Sequence, residues 1–190
     1  MKTLPLLTLL LLLSCNNLSG HIEQQVDSKV ATAKQDMNSE VEKAELDFIA
    51  AYQIAKKRDG DKLQLQNLQT FKTTIASADD YMDSLKTEMD KLDEMDVQNV
   101  EQVQSTFLYK GVGDSIINKL NRILAAAQVV ARTEEQKVAI KVMSDSLGME
   151  PNPDAWKEQV FGLTNPLDVS MVLYGLRIEL YRIGMKALAD

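Results

Sequence analysis

"LQTFKTTIASADDYMDSLKTEMDKL", residues 68–92, decides the fold. Its apolar positions Leu68, Phe71, Ile75, Ala78, Met82, Leu85, Met89 and Leu92 step by three and four in strict alternation. A seam with that spacing runs along one side of a helix and packs against another helix. No strand could carry it, because a strand alternates its faces every second residue. The segment predicts a helix from about Asp61 to Met95, paired antiparallel with its neighbours.

The same reading extends in both directions. Upstream, Ile22, Val26, Val30, Ala33, Met37, Val41, Ala44, Phe48, Tyr52 and Ala55 repeat every eleven residues. That period suits a nearly straight seam. Lys56-Lys57-Arg58 followed by Asp59-Gly60 ends this helix. Residues 23–40 are mostly polar, so they read either as the start of a long helix or as a tether. Downstream, residues 93–114 break the pattern and read as a loop ending in the Gly111-Val112-Gly113-Asp114 turn. A third helix carries Ile116, Leu120, Ile123, Leu124, Ala127 and Val130. Thr133 and Gln136 have the spacing of a capping box for a fourth helix that ends at Gly148. The proline-rich stretch that follows holds Trp156 and Phe161, the two large groups expected to pin it to the bundle. Asn165-Pro166 opens the last helix, with proline at its first position. The fold class is therefore all-α: an antiparallel bundle of four to five helices with a long N-terminal helix or tether.

The last helix carries two apolar seams. One is Leu167, Met171, Tyr174, Ile178, Tyr181, Met185 and Leu188. The other is Val169, Leu173, Leu176, Leu180, Ile183 and Ala187. A polar stripe of Asp168, Glu179, Arg182 and Lys186 runs between them, with Arg177 on the far side. Two readings stay open. Either the helix sits centrally, covered on both faces by its own chain, or one seam meets a second chain. The tyrosines suit the edge of a core, where hydroxyls reach water. The expected partner-binding residues are then Val169, Leu173, Leu176, Leu180 and Ile183.

Composition agrees with helices: 26% charged residues, 5% aromatic, 8 glycines and 4 prolines in 190 residues. The formal charge of −7 disfavours nucleic acid, whose binding needs a basic surface to replace counterions. The N-terminus is of another kind. Met1-Lys2 and the apolar run Leu4–Leu13 form a leader too short to span a bilayer. Leu12-Leu13-Ser14-Cys15 resembles the bacterial lipobox, and Cys15 is the sole cysteine. Residues 1–14 are read as a signal peptide. Residues 15–40 are read as the lipidated cysteine with its tether or helix start, and 41–190 as the bundle. Several acyl chains on Cys15 would anchor the protein stably to a membrane of the cell envelope.

No catalytic pattern emerges. His21 is the single histidine and reads as a solvated linker residue. No Glu-x-x-His pair, Gly-x-Ser-x-Gly elbow or phosphate loop is present. The acids Asp79, Asp80, Asp83, Glu88, Asp90, Asp93, Glu94 and Asp96 lack the loop spacing of a calcium site. They read as the solvated outer side of the heptad helix. No metal, cofactor or catalytic residue is expected.

Four features, "YMDSLKTEMDKL", "KGVGDSIINKLNRIL", "WKEQVF" and "NPLDVSMVLYGLRIELYRIGMKAL", carry a resemblance over residues 61–190. In order and spacing they resemble the N-terminal periplasmic domain of the gliding-motility and type IX secretion protein family GldM (PorM). The resemblance implies a helical, dimeric domain. In that family it follows a transmembrane helix and works with a membrane partner as a proton-driven motor. Here a leader and lipobox stand where that helix would be, and the apolar start carries no acid. What the resemblance implies is the domain and the pathway, not the motor.

The expectation is a stand-alone, lipid-anchored, non-enzymatic interaction or scaffold module on the periplasmic face. It would act beside envelope secretion or motility components. A structural spacer or inhibitor is the alternative, and a hydrolase with an unrecognised carboxylate site a third. Metabolic labelling with a clickable fatty acid tests the anchor. Wild type is expected to take up label and Cys15→Ala to lose it; an unlabelled wild type would overturn the assignment.

Overall fold

The computed structural model describes residues 20–94, 107, 110–149, 152–162 and 165–189. The leader, Cys15 and most of the expected 93–114 loop lie outside the described residues. Six helices are found among the described residues, and no strand. They are α1 (Gly20–Arg58), α2 (Lys62–Glu94), α3 (Val112–Val130), α4 (Glu134–Leu147), α5 (Pro153–Phe161) and α6 (Pro166–Leu188). The expected all-α bundle is thus the observed fold. The chain divides into two units, residues 1–36 and 37–190. The described part of the first is helical from Gly20, which favours the helix over the tether for residues 20–36. The second holds the packed core.

The heptad seam of α2 is the spine of that core. Phe71, Ile75, Ala78 and Met82 are fully enclosed, and Leu68, Leu85 and Met89 nearly so. α1 returns along α2 after the short turn at Asp59–Asp61. The Phe48 ring meets Phe71 edge-on at 6.1 Å, and the Tyr52 hydroxyl donates to Gln69 Oε1 at 2.9 Å. α3 also runs antiparallel to α2: Lys119 reaches Ser77 O at 3.3 Å and sits 4.9 Å above the Tyr81 ring. The buried residues of α3 include all six expected from its spacing.

Local signals in the sequence are met where α4, α5 and α6 begin. The Thr133 hydroxyl accepts from Gln136 N at 3.1 Å, while Gln136 Oε1 accepts from Thr133 N at 2.9 Å. Gly148 closes α4 with φ 69°, a left-handed conformation that costs a residue without Cβ little. Asn165 caps α6 by accepting from Asp168 N at 2.8 Å. Trp156 and Phe161 hold the proline-rich segment as expected. Both are buried, their rings meet edge-on at 5.7 Å, and the indole N–H donates to Leu147 O at 2.6 Å. Phe107 stacks on Phe161 at 4.9 Å and completes the cluster.

The central position belongs to α6. It packs on α2, α3, α4 and α5, and it meets α1 where Phe48 lies against Tyr181. Gly184 makes that contact: a Cβ there would sit 2.6 Å from Phe48 and 3.0 Å from Ile75. The partner-side assignment of one α6 seam is corrected by this arrangement. Val169, Leu173, Leu180 and Ile183 have no exposure at all, and Leu176 has 8%. Their own chain covers them. The tyrosine seam is also largely buried, so both apolar faces are core and α6 sits centrally. The reason is geometric. A helix with neighbours on both flanks buries two seams and leaves only the strip between them for solvent.

Trp156 is the single tryptophan, so its fluorescence reports this packing cleanly. The native protein is expected to emit at the blue-shifted wavelength of buried indole. Phe161→Ala should move the emission toward that of exposed indole and lower stability by about 3 kcal/mol. Emission typical of solvated indole in wild type would contradict the packing.

Candidate functional site

The acidic run of α2 forms the most elaborate polar site, and its role differs from the expected solvated face. Asp79, Asp83 and Asp90 each follow a residue of the apolar seam, Ala78, Met82 and Met89. They therefore lie about 100° round the helix from that seam. α6 is broad enough against α2 to cover both stripes. Asp80 and Glu88, which point elsewhere, are exposed as expected.

Asp79 is buried, and Arg177 of α6 lies against it. Arg177 Nε donates to Asp79 Oδ1 at 2.7 Å and Nη2 to Oδ2 at 3.1 Å. Nη1 donates to Asp83 Oδ1. This is a fork-on-carboxylate pair with a second carboxylate on the remaining nitrogen. Burial opposes the charge on Arg177, but the hydrogen bond and charge of Asp79, with Asp83, outweigh it and raise its pKa. Tyr181, one turn on, is pushed above the ordinary phenol range by burial and by the nearby Asp79.

The ladder continues toward the other end. Lys86 Nζ lies 3.8 Å from Asp83 and 3.5 Å from Asp90. It also donates to the Tyr174 hydroxyl at 3.3 Å and sits 4.9 Å over that ring. Ser170 Oγ donates to Asp90 Oδ1 at 2.7 Å. The rungs pair residues 90, 86 and 83 with 170, 174 and 177 in turn. Each step back along α2 matches a step forward along α6. Two polar heptad stripes thus interlock antiparallel beside the apolar seam.

Two smaller clusters fasten the ends of the bundle. Asp59, buried in the α1–α2 turn, meets Arg132 of the α3–α4 turn, with Arg58 Nε at 3.7 Å. Beside it, Gln136 Nε2 donates to Ala189 O at the end of α6. At the opposite side Lys157 Nζ holds Asp114 at 2.6 Å and Asp154 at 2.9 Å. The hydrogen bonds that Lys157 donates to these two carboxylates raise its pKa. These groups are spent on one another. Asp79 and Asp83 are both bound by Arg177. Among the described residues no group of three or more metal-ligating side chains converges, and no helix is long and apolar enough to cross a membrane.

A concave surface lies between α3 and α4. Leu124, Ala125 and Gln128 face Lys137, Val138, Ile140, Lys141 and Ser144 across a groove of about 410 Å³. Val138 and Val142, one turn apart on α4, are 59% and 60% exposed, and Val129 of α3 is 57% exposed. Sequence spacing missed this face. Valines scattered outside the main seam gave no periodic signal.

No protein-family model, curated protein or solved structure matches the chain.

Breaking a buried ion pair from one side leaves the other charge stranded, which costs about 3–5 kcal/mol. Arg177→Met is expected to lose stability in that range by urea denaturation. Adding Asp79→Leu should recover most of the loss. A double variant as unstable as the sum of the two single losses would show that the two side chains act independently and would contradict the stranded-charge account.

Proposed function

We propose that this chain is a non-enzymatic interaction module of the cell envelope, held at the membrane by lipid on Cys15. The observation that carries the reading is the α3–α4 surface. Val138, well exposed, lines a groove floored by the buried Leu124 and Ile140, and Val142 stands one turn further along the same helix. Exposed aliphatic groups beside a concave apolar floor are what a partner's helix or loop would cover. The polar clusters support the reading from the other side, since their charged groups serve to fasten helices together. The resemblance to the GldM family suggests the setting: a periplasmic accessory to type IX secretion or gliding motility, with an envelope protein as the partner.

Site-specific photo-crosslinking in native membranes tests this. A photoreactive residue at Val142 is expected to give a protein adduct that Val138→Glu abolishes while the fold survives by circular dichroism. The same probe at Lys56 should give none. If Val142 gives no adduct, or gives one that Val138→Glu leaves intact, the groove is not the docking face.

A further inference from the structure

A second cleft, of about 210 Å³, lies between α2 and α3 and is lined by Thr73, Thr74, Ser77, Lys119 and Arg122. Two cations and three hydroxyls face it, and among the described residues no carboxylate lines it. Acids outnumber bases in the chain, 28 to 21. The positive character of the cleft is therefore local and runs against the net charge.

Neither cation has a counter-charge there. Lys119, half-buried, reaches across to α2, where its ammonium donates to Ser77 O at 3.3 Å and to Ser77 Oγ at 3.5 Å. It also stands 4.9 Å over the Tyr81 ring. All three are neutral groups. By contrast, Lys86, Lys157 and Arg177 each hold a carboxylate. Arg122 follows Lys119 by three residues, so the two share one side of α3, and no ion pair to a described residue holds its guanidinium. Like charges at that spacing repel and destabilise the helix that carries them. The hydroxyls divide by role. Thr73 and Thr74 donate to Thr70 O of their own helix at 2.9 and 2.8 Å. Ser77 Oγ accepts from Lys119 and keeps its own proton to give.

We propose that this cleft binds a phosphate group. The forked guanidinium of Arg122, the ammonium of Lys119 and the Ser77 hydroxyl are three donors round one space, a donor set that suits a tetrahedral oxyanion. A bound phosphate replaces the repulsion of the two cations with two charge-assisted contacts. The cleft has room for the ion and for a small group esterified to it. Two sources carry that chemistry: free phosphate, and the headgroup of an anionic phospholipid in the membrane to which lipid on Cys15 would tie the chain. The cleft shares no residue with the α3–α4 groove and stands whether or not that groove binds a partner.

Phenylglyoxal modification of Arg122 in the full-length protein, read by peptide mass spectrometry, gives the test. In detergent solution inorganic phosphate is compared with sodium chloride at equal ionic strength. In reconstituted vesicles phosphatidylcholine containing phosphatidylglycerol is compared with phosphatidylcholine alone. Arg182, exposed and tied to Glu179, is the internal standard. Arg122 is expected to be protected while Arg182 is not. Protection by inorganic phosphate identifies the free ion as a ligand, and protection by phosphatidylglycerol alone identifies the lipid headgroup. Lys119→Gln should weaken the protection about tenfold, the loss of one charge-assisted hydrogen bond, and Lys119→Arg should keep it. The inference is overturned if Arg122 is protected no more than Arg182 in both comparisons, or if Lys119→Gln is protected like wild type.

Discussion

The guanidinium of Arg177 is the constraint around which the bundle is arranged. It is buried in the middle of the protein and must be neutralised where it stands. Asp79 takes two of its nitrogens and Asp83 the third. That fixes how α6 lies on α2 to within a fraction of a helical turn. The apolar seam alone cannot, because leucine, isoleucine and methionine would pack almost as well one turn along. Lys86 between Asp83 and Asp90, and Ser170 on Asp90, extend the same register toward the start of α6.

With α2 and α6 set, the remaining helices find their places by apolar cover and by ties at their ends. α1 lays Phe48 into the space above Gly184, and α3 and α4 pack against α6. Arg132 on Asp59 and Gln136 on Ala189 bind two turns and the end of α6 together. The Trp156–Phe161–Phe107 cluster and Lys157 hold the short α5. The core thereby consumes both apolar faces of α6. Aliphatic groups that stay outside it include Val129, Val138 and Val142, and on α1 and α2 also Leu46, Ile54 and Leu63.

The helices were legible in the sequence because each writes its own periodic seam. Residues 68–92 and 116–130 needed nothing beyond spacing, and Thr133, Gly148 and Pro166 marked boundaries by local chemistry. The register between helices was not legible. The aspartates of α2 follow the apolar seam by one residue, so from α2 alone they read as a solvated edge. Their burial depends on Arg177, about a hundred positions away, and no local pattern announces that pairing. The same holds for the α6 seams. Spacing showed two apolar faces, but which one the chain would cover depended on how many neighbours α6 has.

The central claim is that the polar ladder, rather than the apolar seam, sets the register of α6 on α2. Disulfide trapping measures it in a chain carrying Cys15→Ser. Asp90→Cys with Ser170→Cys samples the native register, and Asp90→Cys with Tyr174→Cys samples a slip of one turn. With the Arg177–Asp79 pair intact, the first should oxidise readily and the second should not. With Asp79→Leu and Arg177→Met introduced, both pairs should form. Exclusive formation of the native pair in that background would contradict the account, because the register would then be held without the ladder.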